Sequence, residues 1–139
     1  MKHVEYVHTF GMEAEELDEL LRTGSVGVLA LADDGDAYAV PVAYDYDGES
    51  LVVRLGASPD SEKMAHLEST DTATLVVHDE GTPSWSVLAR GSLRERDDFD
   101  DRRVNRQFSA LRVFDEEIDE VDAAVYELEM SEVTGRRTD

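Results

Sequence analysis

The sequence predicts a mainly β domain, a small antiparallel barrel with a few short helices. Short apolar runs recur along the chain and are separated by Asp/Gly turn clusters. The first three runs are joined by connections too short for a crossover, so those neighbours must run antiparallel. About six such runs fit within 139 residues, and closing many short strands into a barrel removes exposed edges.

Met12 to Arg22 is expected to be helical, because Leu17, Leu20 and Leu21 form an i, i+3, i+4 stripe among acids. Glu13, Glu15 and Glu16 suit its N-terminal end, and Gly24 offers a C-terminal stop. Val26 to Ala32 is the first strand, ended by the turn cluster Asp33-Asp34-Gly35-Asp36. Ala37 to Tyr46 is the second, with Tyr38, Val40, Val42, Tyr44 and Tyr46 at period two. Pro41 inside it calls for an edge position, a bulge or a bend. Asp47-Gly48 signals a hairpin into Leu51 to Leu55. Ser61 to Glu68 reads as a short helix, with Met64 and Leu67 apolar. Thr72 to His78 and a long Trp85 to Arg96 follow as strands. Asp97 to Leu111 is acidic and Arg-rich, with Phe99, Val104, Phe108 and Leu111 at near-helical spacing. Ala124 to Val133 is the last strand expected. No repeat, low-complexity linker or composition break divides the chain, so residues 1–139 are read as one domain.

Charge bounds the function. The chain has 33 Asp and Glu against 13 Lys and Arg, a formal charge of −20. With 41% apolar residues in periodic blocks, it has the core material that a disordered acidic chain lacks. Its cations are nearly all Arg, Lys2 and Lys63 being the exceptions. Self-repulsion on this scale burdens a small fold in dilute buffer but fades in molar salt, where the Debye length is about 3 Å. The composition therefore suits a salt-accumulating, halophilic cytoplasm. It argues against nucleic acid and anionic membranes as partners, since no basic patch is available for phosphates. Cysteine is absent, which excludes disulfides and thiolate metal sites. No long apolar run or basic leader is evident, so a cytoplasmic location is expected.

No P-loop, GxGxxG, HExxH or GxSxG motif is present. His3, His8, His66 and His78 show no metal-ligand spacing. His66, near Lys63, is a candidate ligand contact, whereas His78 at a strand end reads as structural or exposed. Carboxylates are too abundant for any pair to carry information. The segment from Leu51 to Met64 stands out instead. Arg54 lies on its strand, Gly56 and Ser58 in its loop, and Ser61 and Lys63 at the helix start. A helix N-terminus offers free N–H groups and positive partial charge, which hydroxyls and a cation can turn into a phosphate site. A plain N-cap Ser followed by a surface Lys is the alternative.

Several segments in order carry a resemblance: Gly27-Val-Leu-Ala-Leu, Asp34-Gly35, Tyr38-Ala-Val-Pro-Val-Ala-Tyr44, Tyr46-Asp47-Gly48, Ser61-Glu-Lys63, Ser86-Val-Leu-Ala-Arg-Gly91 and Glu132-Val-Thr-Gly-Arg-Arg137. Together they resemble the pyridoxamine 5′-phosphate oxidase-like, FMN-binding split-barrel proteins. The resemblance implies a six-stranded antiparallel split β-barrel that forms a homodimer, with FMN in a groove at the interface. It implies that Ser61 and Lys63 hold the FMN phosphate, with Glu62 standing where the family commonly has Arg. Arg54 could compensate for that change and Ser58 could add a hydroxyl. Pro41, Val42 and Tyr44 match the strand whose backbone lines the flavin ring. Trp85 and Ser86 start the strand that approaches the flavin's pyrimidine edge. Dedicated vitamin B6 oxidases are longer, and Arg136-Arg137, expected just after the last strand, match the shorter flavin-nucleotide-binding subgroup better. The expected function is an FMN-dependent oxidoreductase acting on an unidentified small molecule, with no catalytic side chain named. The alternatives are a deazaflavin- or haem-binding barrel and a non-catalytic flavin-nucleotide carrier. The Val40, Val42 and Tyr44 stripe is expected to exceed what one barrel core needs, a hint toward the dimer.

Overall fold

The computed structural model describes residues 9–56, 62–81, 83–100, 103–104, 108 and 123–138. The elements run β1 (Thr9–Gly11), α1 (Ala14–Thr23), β2 (Val26–Asp33), β3 (Asp36–Tyr46), β4 (Leu51–Gly56), α2 (Glu62–Ser69), β5 (Ala73–Asp79), β6 (Trp85–Arg96) and β7 (Ala123–Thr138). Strand order is β1-β7-β4-β3-β2-β5-β6, and β6 pairs back to β7. Six antiparallel strands thereby close a barrel, and β1 extends the β4 side of β7.

Local chemistry sets the turns. Asp34 and Gly35 both have positive φ, 46° and 86°, which two-residue hairpins of the primed type require. Asp47 Oδ1 accepts from the backbone N–H groups of Glu49 and Ser50, each at 2.8 Å, and so shapes the β3–β4 loop. The hairpin also explains Pro41. Counting by twos from the closing pair Asp33↔Asp36, Pro41 falls at a non-hydrogen-bonded position opposite Val28. Its missing donor would have faced β4, whose pairing with β3 begins only at Ala43↔Arg54. Pro41 therefore disturbs no ladder: it lies where β3 has a free edge, with no bulge against β2.

The interior is filled by alternate residues of every barrel strand, among them Leu29, Tyr44, Leu51, Val53, Leu55, Leu75, Val87 and Leu128, all 2% exposed or less. Each contributes roughly 1.5–3 kcal/mol of apolar burial for a side chain of this size. The two helices stopper opposite ends. Leu17 and Leu21 of α1 enter at the Tyr44 end of β3, and Leu67 of α2 enters near Tyr38. Gly24 ends α1 with ordinary negative φ (−82°) rather than as a left-handed cap. It is glycine because a Cβ there would run into the Tyr44 hydroxyl.

Several expectations are corrected. The Val40, Val42 and Tyr44 stripe is not surplus to the core: it points inward and forms part of it. The last strand does not stop at Val133 but runs to Thr138, because β6 pairs along it as far as Arg137. Arg136 and Arg137 are thus within the barrel wall rather than beyond it. The short β1, Thr9–Gly11, was not foreseen from the pattern and exists by pairing with this extension. Much of the expected 97–111 helix lies outside the described residues. Where it is described, Val104 N–H donates to Asp100 O at 3.0 Å and Phe108 N–H to Val104 O at 2.9 Å, both i→i−4 bonds.

Candidate functional site

The site begins with one guanidinium. Arg54 stands on the outer face of β4, opposite Ala43 of β3 and Val125 of β7. Ala43, Val52 and Val125 are buried there under Val104 and Phe108, with Phe99 alongside. Arg54 Nε is buried in this apolar setting and has no hydrogen-bond partner among the described residues. A buried donor left unsatisfied costs about 1–3 kcal/mol, and more when it carries charge. A bound oxyanion is the chemistry that removes this cost. The other described arginines underline the point. Arg22, Arg90, Arg94, Arg96, Arg103 and Arg137 each contact a carboxylate. Arg54 and Arg136 do not.

From Arg54 the outer face continues through small and apolar residues. Strand register sets Pro41 beside Val28, Val28 beside Val76, Val76 beside Leu88 and Leu88 beside Thr134. The neighbouring row holds Ala39, Ala30 and Thr74. On the other side lie Ala43 and Val26, then His78, Ser86 and Arg136, which are successive cross-strand partners on β5, β6 and β7. Val26 and Leu88, at 42% and 38%, are the exposed large hydrophobics among the described residues. Both lie on this face.

The family model described as pyridoxamine 5′-phosphate oxidase matches residues 13–137. The chain belongs to the pyridoxamine 5′-phosphate oxidase family. No curated protein sequence matches it. Among solved structures, an FAD-binding protein from Mesorhizobium loti superposes with TM-score 0.70 at 20% identity, covering 96% of this chain and 99% of that one. An FAD-binding protein from Mycobacterium smegmatis gives 0.65 at 14% identity, over 95% of this chain and 100% of that one. An FAD- and haem-binding protein from the same organism gives 0.61 at 18% identity, over 93% and 73%. These likenesses show the barrel fold.

Within this oxidase-family fold the residues singled out from sequence fall into three groups. Pro41, Arg54 and Ser86 share the outer face. Val42 and Tyr44 turn their side chains into the barrel core, leaving backbone at the surface strand, and Trp85 packs against the same core. Ser58 and Ser61 lie outside the described residues. Lys63 is described only as backbone in the first turn of α2, which starts at Glu62. His66, the candidate ligand contact, is instead an internal tie of α2. It is 3% exposed, stacks on Tyr38 with centroids 5.2 Å apart, and its Nε2 lies 3.3 Å from Asp36 Oδ2.

Sequence reading missed the outer apolar surface of the oxidase-family barrel. Its signal was the run of small residues interleaved with the inward stripe: Ala37, Ala39, Pro41 and Ala43. A polar pocket among Asp45, Asp47, Ser50, Arg96 and Arg103 measures about 60 Å³, room for little more than water. Val52 and Phe99 also line it, so it lies between an ion cluster and the apolar patch beside Arg54. In that cluster Arg96 donates to Asp98 and to Glu127 (2.7 Å), and Arg103 donates to Asp98 at 2.9 Å. Hydrogen bonding from Arg96 holds the Asp98 carboxyl well below the usual carboxylate range.

Proposed function

We propose that this member of the pyridoxamine 5′-phosphate oxidase family binds a flavin nucleotide, FMN in the first instance, on the outer barrel face. On this reading it acts as a cytoplasmic homodimeric oxidoreductase on a small molecule. The observation that carries the reading is the buried, unpartnered Nε of Arg54 in a chain otherwise crowded with carboxylates. The proteins it superposes with are named as FAD-binding, which supports a flavin as the ligand class.

Arg54 takes the role of phosphate cation, together with Lys63 and the hydroxyls of Ser58 and Ser61. A guanidinium there makes up for Glu62, which adds an anion where a cation is usual in the family. The backbone of Pro41, Val42 and Tyr44 lines the ring, and Pro41 keeps β4 from covering that edge. Trp85 and Ser86 bound its far side. The flavin, when bound, supplies the redox chemistry itself. The chain's part is to fix the phosphate, orient the ring and limit water.

The stripe Pro41, Val28 and Val76 is an apolar surface that a second copy would cover, and it supports the homodimer. The decisive experiment is the absorbance spectrum of the purified protein with any bound flavin identified by mass. It is followed by fluorescence titration with FMN, FAD, deazaflavin and haem in molar salt. Stoichiometric FMN binding is expected. No binding of any flavin would overturn the reading. Preference for haem or deazaflavin would replace FMN within the same barrel.

A further inference from the structure

Two independent anomalies meet at one place on the outer face. Arg136 is a guanidinium without a carboxylate partner among the described residues, in a chain of net charge −20. The exposed large hydrophobics, Val26 and Leu88, flank the same spot. Register fixes the arrangement. His78 pairs with Ser86 across β5 and β6, and Ser86 pairs with Arg136 across β6 and β7. Directly opposed residues have Cβ atoms about 4.5–5.5 Å apart, so imidazole, hydroxyl and guanidinium stand in one line. Leu88 is the next outward residue after Ser86 on β6, and Val26 is the next outward residue of β2 past the Val28↔Val76 pair, toward the His78 end of β5.

Each member of the line has a defined chemistry. Arg136 offers a planar fork that matches carboxylate and phosphate oxygens. Ser86 offers a hydroxyl donor, and His78 a ring N–H. None of the three is engaged by another described side chain. Other surface arginines among the described residues have found an acid, as Arg90 has in Glu132 and Arg137 in Glu16.

We propose that His78, Ser86 and Arg136 form an oxyanion-binding subsite. It takes the carboxylate or phosphate of a small organic acid whose apolar body rests on Val26 and Leu88. For the acid's role as substrate this rests on the flavin reading, because Ser86 is shared with the flavin's far edge. The subsite itself does not.

The test uses the full chain, with and without saturating FMN. Benzoate, phenyl phosphate, inorganic phosphate and neutral benzamide are titrated while the His78 ring resonances are followed by NMR, assigned with His78→Gln. Benzoate or phenyl phosphate is expected to shift His78 saturably, the tighter of the two naming the headgroup. Benzamide and inorganic phosphate are each expected to bind roughly tenfold or more weakly, having lost one half of the recognition. Arg136→Ala should weaken the organic anion roughly tenfold, Arg136→Lys less, and Leu88→Ser should weaken phenyl phosphate but not inorganic phosphate. Sedimentation and FMN affinity of Arg136→Ala should match the parent. Binding of both benzoate and phenyl phosphate no tighter than benzamide, or an Arg136→Ala variant with unchanged anion affinity, overturns the subsite. So does an Arg136→Ala variant that changes only the oligomeric state, since the row then serves a subunit contact. Anion binding without any flavin binding would uphold the subsite and remove the flavin reading.

Discussion

The Tyr44 hydroxyl donates to the Leu21 carbonyl across 2.8 Å, both groups buried where α1 ends on the barrel. Leu21 is in the last turn of α1, where carbonyls lack intrahelical partners, so a strand residue satisfies the helix end. Tyr44→Phe keeps the packing and leaves that carbonyl unsatisfied. It should cost about 1–2 kcal/mol in chemical denaturation, with the slope against denaturant unchanged.

The same bond sets an alkaline limit. Burial, with the Asp45 charge as the lesser cause, pushes the Tyr44 phenol up to about 12 from its ordinary 10.0. Burial likewise raises Tyr46 to about 12, with the bond to Asp18 adding to it. A group whose folded pKa is raised gives stability that is complete below the unfolded value and fades as pH climbs to the folded one. Stability should therefore fall between about pH 10 and 12, and the fall should be shallower in Tyr44→Phe. An unaltered slope in that variant would exclude Tyr44 as a source.

Gly24 and Tyr44 should be coupled. Gly24→Ala puts a methyl against the phenol oxygen and should destabilise by about 1–3 kcal/mol. Removing that oxygen first should lessen the penalty. A Gly24→Ala/Tyr44→Phe cycle is thus expected to be less than additive by about 0.5 kcal/mol or more.

Arg54 separates function from stability. Arg54→Met replaces a half-buried guanidinium, whose buried Nε is unpartnered among the described residues, with an apolar chain of similar reach. The apo protein should gain about 1 kcal/mol or lose nothing, while FMN affinity should fall by roughly tenfold or more. Loss of stability with retained FMN affinity would mean that the guanidinium serves the fold.

Acid stability should depend on Asp98. Its carboxyl is held low by hydrogen bonds from Arg96, so its contribution is present above the ordinary carboxylate pKa and is lost as pH falls below it. Asp98→Asn should flatten the acid limb of the stability curve. The effect should shrink in molar salt, since Asp98 is exposed.

Much of the barrel was legible because strand signals are local. Short apolar runs bounded by turn residues, alternating at period two in β3, mark β2, β3, β5 and β6 within a residue or so of their bounds, and Asp34-Gly35 marks the hairpin. The end of β7 was not legible. Arg136 and Arg137 look like a polar tail, and only β6 opposite them makes them strand. Pro41 in sequence calls for an edge position, a bulge or a bend, and only where β4 stops pairing decides among them.

Residue order alone fixes the antiparallel run of β2, β3 and β4, the acidic charge and the presence of a cation on the strand before α2. These follow from residue type and short-range spacing. Only the folded arrangement sets which face each strand turns inward, which arginines find acids, and that Arg54 and Arg136 find none among the described residues. It also drew His78, Ser86 and Arg136 into one line. Pairing between strands far apart in the chain is fixed by closure of the whole barrel and burial of its core, and no local pattern encodes that register.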